Sequence, residues 1–203
     1  MVEGMRRDED LIQQINALWL PVYPFMADHV LAASGMRSGK ILDLGPFAGG
    51  IAVSLLAKSS GFQAKVVDES ERVLRSAVEW AREKGCSSRL AVQRAPVEAI
   101  LEPDRSIDLV TVRGAFFFLT PLLLREVKRV LRPGGLGWVG GGYGPLTPNE
   151  VIKPIADRSR RLNEEFGRRR ISARQCQMLL TSAGLDSCAK ISTEGGMWIE
   201  LVG

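Results

Sequence analysis

The sequence predicts an α/β fold: a doubly wound, seven-stranded sheet, mostly parallel, with an antiparallel strand in a C-terminal hairpin and a helical cap at the N-terminus. Three observations predict it. From residue 40 onward, short apolar runs alternate with stretches of helical spacing, the pattern of parallel strands joined by helical crossovers. The first run, 41–44, leads straight into a glycine-rich turn, Gly45-Pro46-Phe47-Ala48-Gly49-Gly50. Near the end, two strand-like runs at about 186–193 and 197–202 are separated only by Glu194-Gly195-Gly196, so they read as a hairpin rather than a crossover.

Each element has a local reason. Residues 1–38 form the cap: Leu11, Ile12, Ile15, Leu18 and Trp19 share one helical face, Pro21 and Pro24 interrupt it, and a second helix runs from about Phe25 to Ser34. After the first strand come a helix at 51–58, a strand at 64–68 and a helix at 70–84 that buries Val73, Leu74, Ala77, Val78 and Ala81. Strands follow at 90–93 and at 107–112, the latter dense in β-branched residues as a strand covered on both faces should be. Thr120-Pro121 opens a helix as N-cap and first position; it runs to Arg132 and is stopped by Pro133-Gly134-Gly135 before a fifth strand at 136–140. Thr147 to Glu150 reads as a capping box ahead of a stripe of Ile152, Ile155, Leu162 and Phe166. Ser172 to Gln175 reads as another, and its helix ends at Gly184. The whole, 1–203, is one domain in which 145–171 is a lid-like insertion.

Composition agrees. With 203 residues, 45% hydrophobic and 25% charged, the chain suits a single cored domain and excludes a disordered, collagen-like or disulfide-stapled protein. No apolar run approaches the roughly 20 residues of a membrane span, and the start, MVEGMRRDEDLIQQ, lacks the apolar core of a signal peptide. Cys86, Cys176 and Cys188 are far apart and without metal-ligand spacing, so no metal is expected and the setting is expected to be reducing and cytoplasmic. A net charge of +4 is too mild to imply nucleic acid.

The glycine turn carries the chemistry. Ligands bind where loops part at the switch point of an open sheet and a helix N-terminus offers free N–H groups. Glycines let a backbone approach a ligand closely, although many such turns are only tight connections. Val66-Val67-Asp68-Glu69-Ser70 strengthens the case, because the second strand ends on an acid that can accept both hydroxyls of a ribose. Its competing role is to cap the next helix.

In order and motif, residues 20–203 resemble the class I S-adenosylmethionine-dependent methyltransferases. ILDLGPFAGG (41–50) is similar to that family's first glycine motif and VVDES (66–70) to its ribose-binding acid. IDLVTVRGAFFFL (107–119) is similar to the fourth strand with its substrate-side loop, and 124–142 to the helix, Pro-Gly-Gly turn and fifth strand. Met197 to Leu201 fits the family's antiparallel last strand. The resemblance implies a Rossmann-like fold, S-adenosyl-L-methionine as cofactor and S-adenosyl-L-homocysteine as product. It implies cofactor contacts from Asp43, Gly45, Pro46, Phe47 and Gly49, from Asp68 and Glu69, from Pro96 and Val97, from Arg113 and Gly114, and from Tyr23 closing over the cofactor carboxylate.

The residues suit that chemistry. Methyl transfer from a sulfonium has a neutral leaving group and needs mainly positioning and exclusion of water. No catalytic triad is visible, and the one histidine, His29, reads as a surface or capping residue. Arg113-Gly114-Ala115-Phe116 stands where amino-methylating nucleic-acid enzymes carry Asn or Asp before Pro-Pro-aromatic. Two departures stand out: Phe47 replaces a glycine, and Ala95 stands where many members carry an acid near the adenine, leaving Glu98 or the backbone at 96–97 to take over. The Phe47 ring is expected to pack against Ile51 and the 116–118 run. Phe116 and Phe117 are candidate substrate-pocket residues. Tyr143, within Gly140-Gly141-Gly142-Tyr143-Gly144, is the candidate substrate-orienting residue or a plug, the glycines making room for something. Arg158, Arg160, Arg161, Arg168, Arg169, Arg170 and Arg174 read as a solvated basic face, or supply one or two inward arginines that select an anion.

The expected function is methyl transfer to a small-molecule acceptor, with no membrane or nucleic-acid partner. The alternatives are a degenerate cofactor-binding protein with a regulatory or scaffolding role, motivated by Phe47 and Ala95, and an RNA methyltransferase, motivated by the arginines of 158–174.

Overall fold

Seven strands build one sheet: β1 (Ser38–Leu44), β2 (Gly61–Asp68), β3 (Leu90–Arg94), β4 (Ile107–Arg113), β5 (Leu131–Gly142), β6 (Ala189–Ser192) and β7 (Gly196–Val202). Their order is β3-β2-β1-β4-β5-β7-β6. All pairs from β3 to β5 are parallel, and β7 runs antiparallel between β5 and β6. The computed structural model describes residues 2–167 and 171–203. The helices are α1 (Val2–Trp19), α2 (Tyr23–Ser34), α3 (Gly50–Lys58), α4 (Glu71–Glu83), α5 (Pro121–Val130), α6 (Asn149–Glu165) and α7 (Ala173–Ala183). Among the described residues, no helix is long and apolar enough to cross a membrane.

Alternation along the strands sorts the core into two layers. Ile41, Val66, Leu109, Trp138 and Trp198 face the side covered by α1 to α4, where Ile15, Met26, Leu55 and Ala77 are buried against them. Leu42, Val67, Val110, Val139 and Ile199 face the side covered by α5 and α7, with Leu124, Val127, Cys176 and Leu180. The N-terminal helices are therefore part of the core rather than an appendage: Ile15, Val22, Tyr23, Met26 and Val30 are all buried.

Local signals hold at several ends. Thr120 accepts a hydrogen bond from the Leu123 N–H as N-cap of α5, with Pro121 in first position. Ser172 and Gln175 form a reciprocal capping box, and Gly184 closes α7 in the left-handed conformation.

Three expectations are corrected. The second helix begins at Tyr23 rather than Phe25, because Pro24 falls in its first turn, where no N–H is needed. The helix expected to reach Arg132 ends at Val130, and β5 starts at once, carrying Pro133-Gly134-Gly135 inside the strand across a register shift against β4. The capping box at Thr147 does not form: its hydroxyl donates to the Tyr143 carbonyl, and Pro148 is the N-cap of α6 without a side-chain bond.

The glycines at the end of β5, expected to make room for something, have a specific neighbour. Gly142 pairs with Gly196, and Tyr143 and Gly144 both donate backbone N–H groups to the Gly195 carbonyl. A Cβ on Gly142 would come within 2.3 Å of that same carbonyl oxygen. The side-chain-free run lets β7 and the β6–β7 turn approach closely, and Gly141 and Gly142 also face the open space at this edge.

Candidate functional site

The sheet changes direction between β1 and β4, since β2 and β3 lie to one side of β1 and the chain returns to β4 on the other. Loops diverge there, and the C-terminal ends of both strands open onto the site. Asp43 stands at the divide, paired in register with Thr111. Its carboxylate is wholly buried. One oxygen accepts the Thr111 hydroxyl at 2.8 Å; the other accepts the N–H groups of Gly49 at 2.9 Å and Ala52 at 3.2 Å. Asp43 thus fixes the glycine turn and the first turn of α3 from behind, with its oxygens engaged. Burial raises its pKa to about 6, opposed by those hydrogen bonds and by the charge of Arg113.

A polar knot locks α1 and α2 onto the turn. Asn16 donates to the Pro46 carbonyl at 3.0 Å, and its side-chain oxygen accepts from the Tyr23 hydroxyl at 3.1 Å and from Arg113 at 3.3 Å. Arg113 also donates to the Tyr23 oxygen at 3.0 Å. Its guanidinium lies 4.3 Å from the Trp19 ring centroid and 5.4 Å from that of Phe47. Burial pushes the Tyr23 hydroxyl up to about 12, so it stays protonated as a donor.

Phe47 is buried, with its ring 5.5 Å from Phe117 and 6.0 Å from Phe166. It lies over Gly114, where an added Cβ would come within 2.3 Å of the ring. Phe118 lies against Gly45 in the same way, 2.6 Å from where a Cβ would be.

Two cavities open on this edge. One, of about 920 Å³, is lined by Pro46, Asp68, Glu69, Val97, Phe116, Phe117 and Phe118, with Asp8 and Glu9 of α1 at its rim. Asp68 uses one carboxylate oxygen to accept the Ser70 N–H at 2.8 Å; the other has no hydrogen-bond partner among the described residues. Burial raises its pKa to about 6, the Ser70 hydrogen bond opposing and the charges of Glu69 and Glu9 adding to the rise. The second cavity, of about 710 Å³, lies under α6 and is walled by Trp19, Phe116, Tyr143, Ile152, Ile155 and Met197 among others. A narrow space lined by Phe47, Arg113, Gly114, Phe117 and Asn163 lies between them, and Phe116 borders all three.

Comparison with known proteins gives this geometry a family. Residues 41–135 match the family described as a methyltransferase domain. The matched stretch holds the glycine turn, Asp68 and β4, so the site lies in a region similar to methyltransferase domains. The chain is 34% identical over 122 residues to the ubiquinone/menaquinone biosynthesis C-methyltransferase UbiE of Shewanella sp. (strain W3-18-1), covering 56% of this chain and 47% of the relative. It thus spans about half the length of the curated relatives it matches. A solved structure from Methanococcus maripaludis, assigned to the S-adenosyl-L-methionine-dependent methyltransferases, superposes with a TM-score of 0.78 at 27% identity, over 96% of this chain and 91% of that one. A SAM-dependent methyltransferase from Aquifex aeolicus shares the fold, with a TM-score of 0.64 at 19% identity, over 94% of this chain and 96% of that one.

Within this site, the residues singled out from sequence do not all sit where expected. Pro46, Asp68, Glu69 and Val97 line the larger cavity. Tyr23 lines neither cavity; it is buried in the knot with Asn16 and Arg113 and reaches a ligand only through its neighbours. Phe117, expected in the substrate pocket, is instead drawn into the aromatic stack with Phe47 and Phe166, on the side of the Asp68 cavity. Phe116 and the half-exposed Tyr143 do line the cavity under α6. Glu98 does not stand in for an acid at Ala95, because its carboxylate accepts the Thr120 hydroxyl. Of the arginines, Arg158, Arg160, Arg161 and Arg174 are exposed, Arg160 paired with Asp157 at the cavity mouth. Arg168, Arg169 and Arg170 lie outside the described residues. Asn16, Trp19, Thr111, Ser159 and Asn163 were not foreseen as site residues. Asn16, Thr111, Ser159 and Asn163 each had a signal, a polar residue within an apolar stripe or strand, where burial obliges it to find a partner; Trp19 was read only as part of the apolar face of α1.

Proposed function

We propose that this chain binds S-adenosyl-L-methionine in the cavity beside Asp68 and transfers its methyl group to a small-molecule acceptor in the cavity under α6, leaving S-adenosyl-L-homocysteine. The observation that carries this reading is the unpartnered Asp68 oxygen facing a cavity of about 920 Å³ next to the glycine turn. A carboxylate oxygen with free lone pairs fits the hydroxyls of a ribose, and the volume falls within the range of small-molecule sites. Neither Phe47 nor Ala95 lines that cavity, so neither departure from the family pattern obstructs it.

When bound, the cofactor supplies an electrophilic methyl carbon. The chain's residues position and shield. Asp68 accepts from the ribose. Asp43 and Asn16 hold the 45–50 turn rigid from two sides, so its backbone presents one shape. Trp19, Phe116 and Ile155 exclude water from the acceptor side. Arg113 and Gly114 line the narrow space between the two cavities, where they would orient the acceptor toward the cofactor.

Calorimetric titration with S-adenosyl-L-homocysteine tests this directly. Saturable one-site binding supports the reading; absence of heat in folded protein favours the scaffolding alternative. Incubation with radiolabelled S-adenosyl-L-methionine and a panel of small acceptors then reads transfer itself.

A further inference from the structure

The cavity under α6 contains a polar group that the methyl-transfer reading leaves unexplained. Asn163 is more than nine-tenths buried, on the inner face of α6 between two apolar neighbours of the stripe. Its amide nitrogen donates to the Ser159 carbonyl at 2.6 Å and lies 3.2 Å from the Ser159 hydroxyl. Ser159 is itself buried, and its hydroxyl oxygen accepts the Trp19 indole N–H at 2.9 Å. These bonds decide which way the amide faces, because the nitrogen side is engaged. The side-chain oxygen has no partner among the described residues. Asn163 lines both the cavity under α6 and the narrow junction beside Arg113.

We infer that the Asn163 side-chain oxygen accepts a hydrogen bond from the methyl acceptor, and that the acceptor is an apolar molecule carrying a hydroxyl group. The inference rests on the reading of this cavity as the acceptor site. Ile152, Ile155 and Met197 with the rings of Trp19 and Phe116 provide an apolar wall to a cavity of about 710 Å³ whose lining also includes Arg160 and Glu164, enough for a fused ring system or a branched chain. An acceptor oxygen set in such a wall discriminates strongly, because a ligand without a donor leaves it dry and unpaired. The donor is a hydroxyl rather than an ammonium, since at the Asn163 oxygen a second cation would be brought toward the Arg113 guanidinium, while Glu164 in the lining of the cavity is matched there by Arg160. A hydroxyl gives its proton to Asn163 and keeps lone pairs for the cationic side. Asn163 is on this account a specificity residue: it orients the acceptor by its hydroxyl and presents the rest of the molecule to the junction.

Equilibrium dialysis of the full chain against three probes tests this without any methyl transfer. The probes are 2-naphthol, 2-methylnaphthalene, which replaces the hydroxyl by a methyl group, and 2-(aminomethyl)naphthalene, which is cationic at neutral pH. Between wild type and Asn163→Leu, the affinity for 2-naphthol relative to 2-methylnaphthalene should fall about tenfold, the upper range for one neutral hydrogen bond. Asn163→Ala keeps a strong helix former in α6 and carries the same readout if the leucine variant does not fold. An unchanged ratio overturns the role of Asn163. Failure of 2-naphthol to bind overturns the apolar-hydroxyl class, as does a cationic probe that loses as much as 2-naphthol on substitution. A separate titration with S-adenosyl-L-homocysteine distinguishes the two readings. Normal cofactor binding with no probe discrimination sinks only this inference; probe discrimination without cofactor binding sinks only methyl transfer.

Discussion

Thr111 on β4 donates its hydroxyl proton to Asp43 on β1 across 2.8 Å, at the pair of strands where the sheet reverses direction. The same carboxylate holds the Gly49 and Ala52 N–H groups, so one buried acid joins two strands to the start of α3. Thr111→Val preserves shape but removes the donor. The expected cost is about 1–3 kcal/mol, because a buried acceptor loses its partner. Urea unfolding measures it, and Thr111→Ser, which restores a hydroxyl, should recover most of the loss.

Asp68 should govern cofactor affinity without governing the fold. Its second oxygen faces the cavity, and the Ser70 contact it would lose is local. Removing a charge-assisted hydrogen-bonding group costs on the order of 1.5–3 kcal/mol, roughly ten- to a hundredfold in affinity. Asp68→Ala should weaken S-adenosyl-L-homocysteine binding by that factor while the circular dichroism spectrum stays unchanged. Equal affinity would remove the ribose assignment.

Phe47 should matter for stability rather than for ligand access. Its ring is buried between Phe117, Phe166 and the Arg113 guanidinium. Phe47→Ala opens a cavity and should cost about 3–5 kcal/mol, and Phe47→Gly should cost more by loosening the turn. Thermal melts report the loss. A glycine variant that stays stable and binds cofactor much more tightly would show that the ring blocks the site.

Two carboxyls give the protein an acid-side pH dependence. Burial holds Asp43 and Asp68 near 6 when folded, against an ordinary 3.8. An acid whose pKa is raised on folding stabilises the folded state below its unfolded pKa; that contribution is lost as the pH rises from about 4 through about 6. Ligand affinity runs the other way, because the ribose needs ionised Asp68. Titrations with S-adenosyl-L-homocysteine from pH 5 to 8 should give constant affinity above about pH 7 and falling affinity below about 6. In Asp68→Asn the fall should shrink to the part owed to Asp43, and a flat wild-type profile would contradict both assignments.

Much of the cavity wall was legible from sequence, while the roles within it were less so. Pro46, Asp68 and Val97 could be found because the glycine turn and the strand ends place them at one edge wherever the alternation is read correctly. Tyr23 and Phe117 were placed on the right side of the molecule but given the wrong neighbours. Tyr23 opens α2 and Phe117 lies in the short segment between β4 and α5, and whether a ring at such an element end faces a ligand or the core depends on which partners are nearby. For Phe117 those partners are Phe47 and Phe166, and for Tyr23 they are Asn16 and Arg113. The glycines of 140–142 carried a clear signal of close approach, but not of what approaches. The answer, the β6–β7 turn, lies over fifty residues further along the chain.

Strand and helix order, the parallel sheet with its antiparallel seventh strand, the glycine turn and the acid after β2 were all determined by the sequence itself. These depend on periods of two or 3.6 residues and on turn residues, which act over a few positions. Only the tertiary structure decided that Asn16 meets Arg113 and that Trp19 meets Ser159, which in turn turns Asn163 toward the cavity. Those partners are separated by about a hundred residues or more, and local periodicity says only that each faces inward. Once two inward faces meet, a buried polar group has to bond to whatever the packing brings within 3 Å, and that choice is made by the fold as a whole.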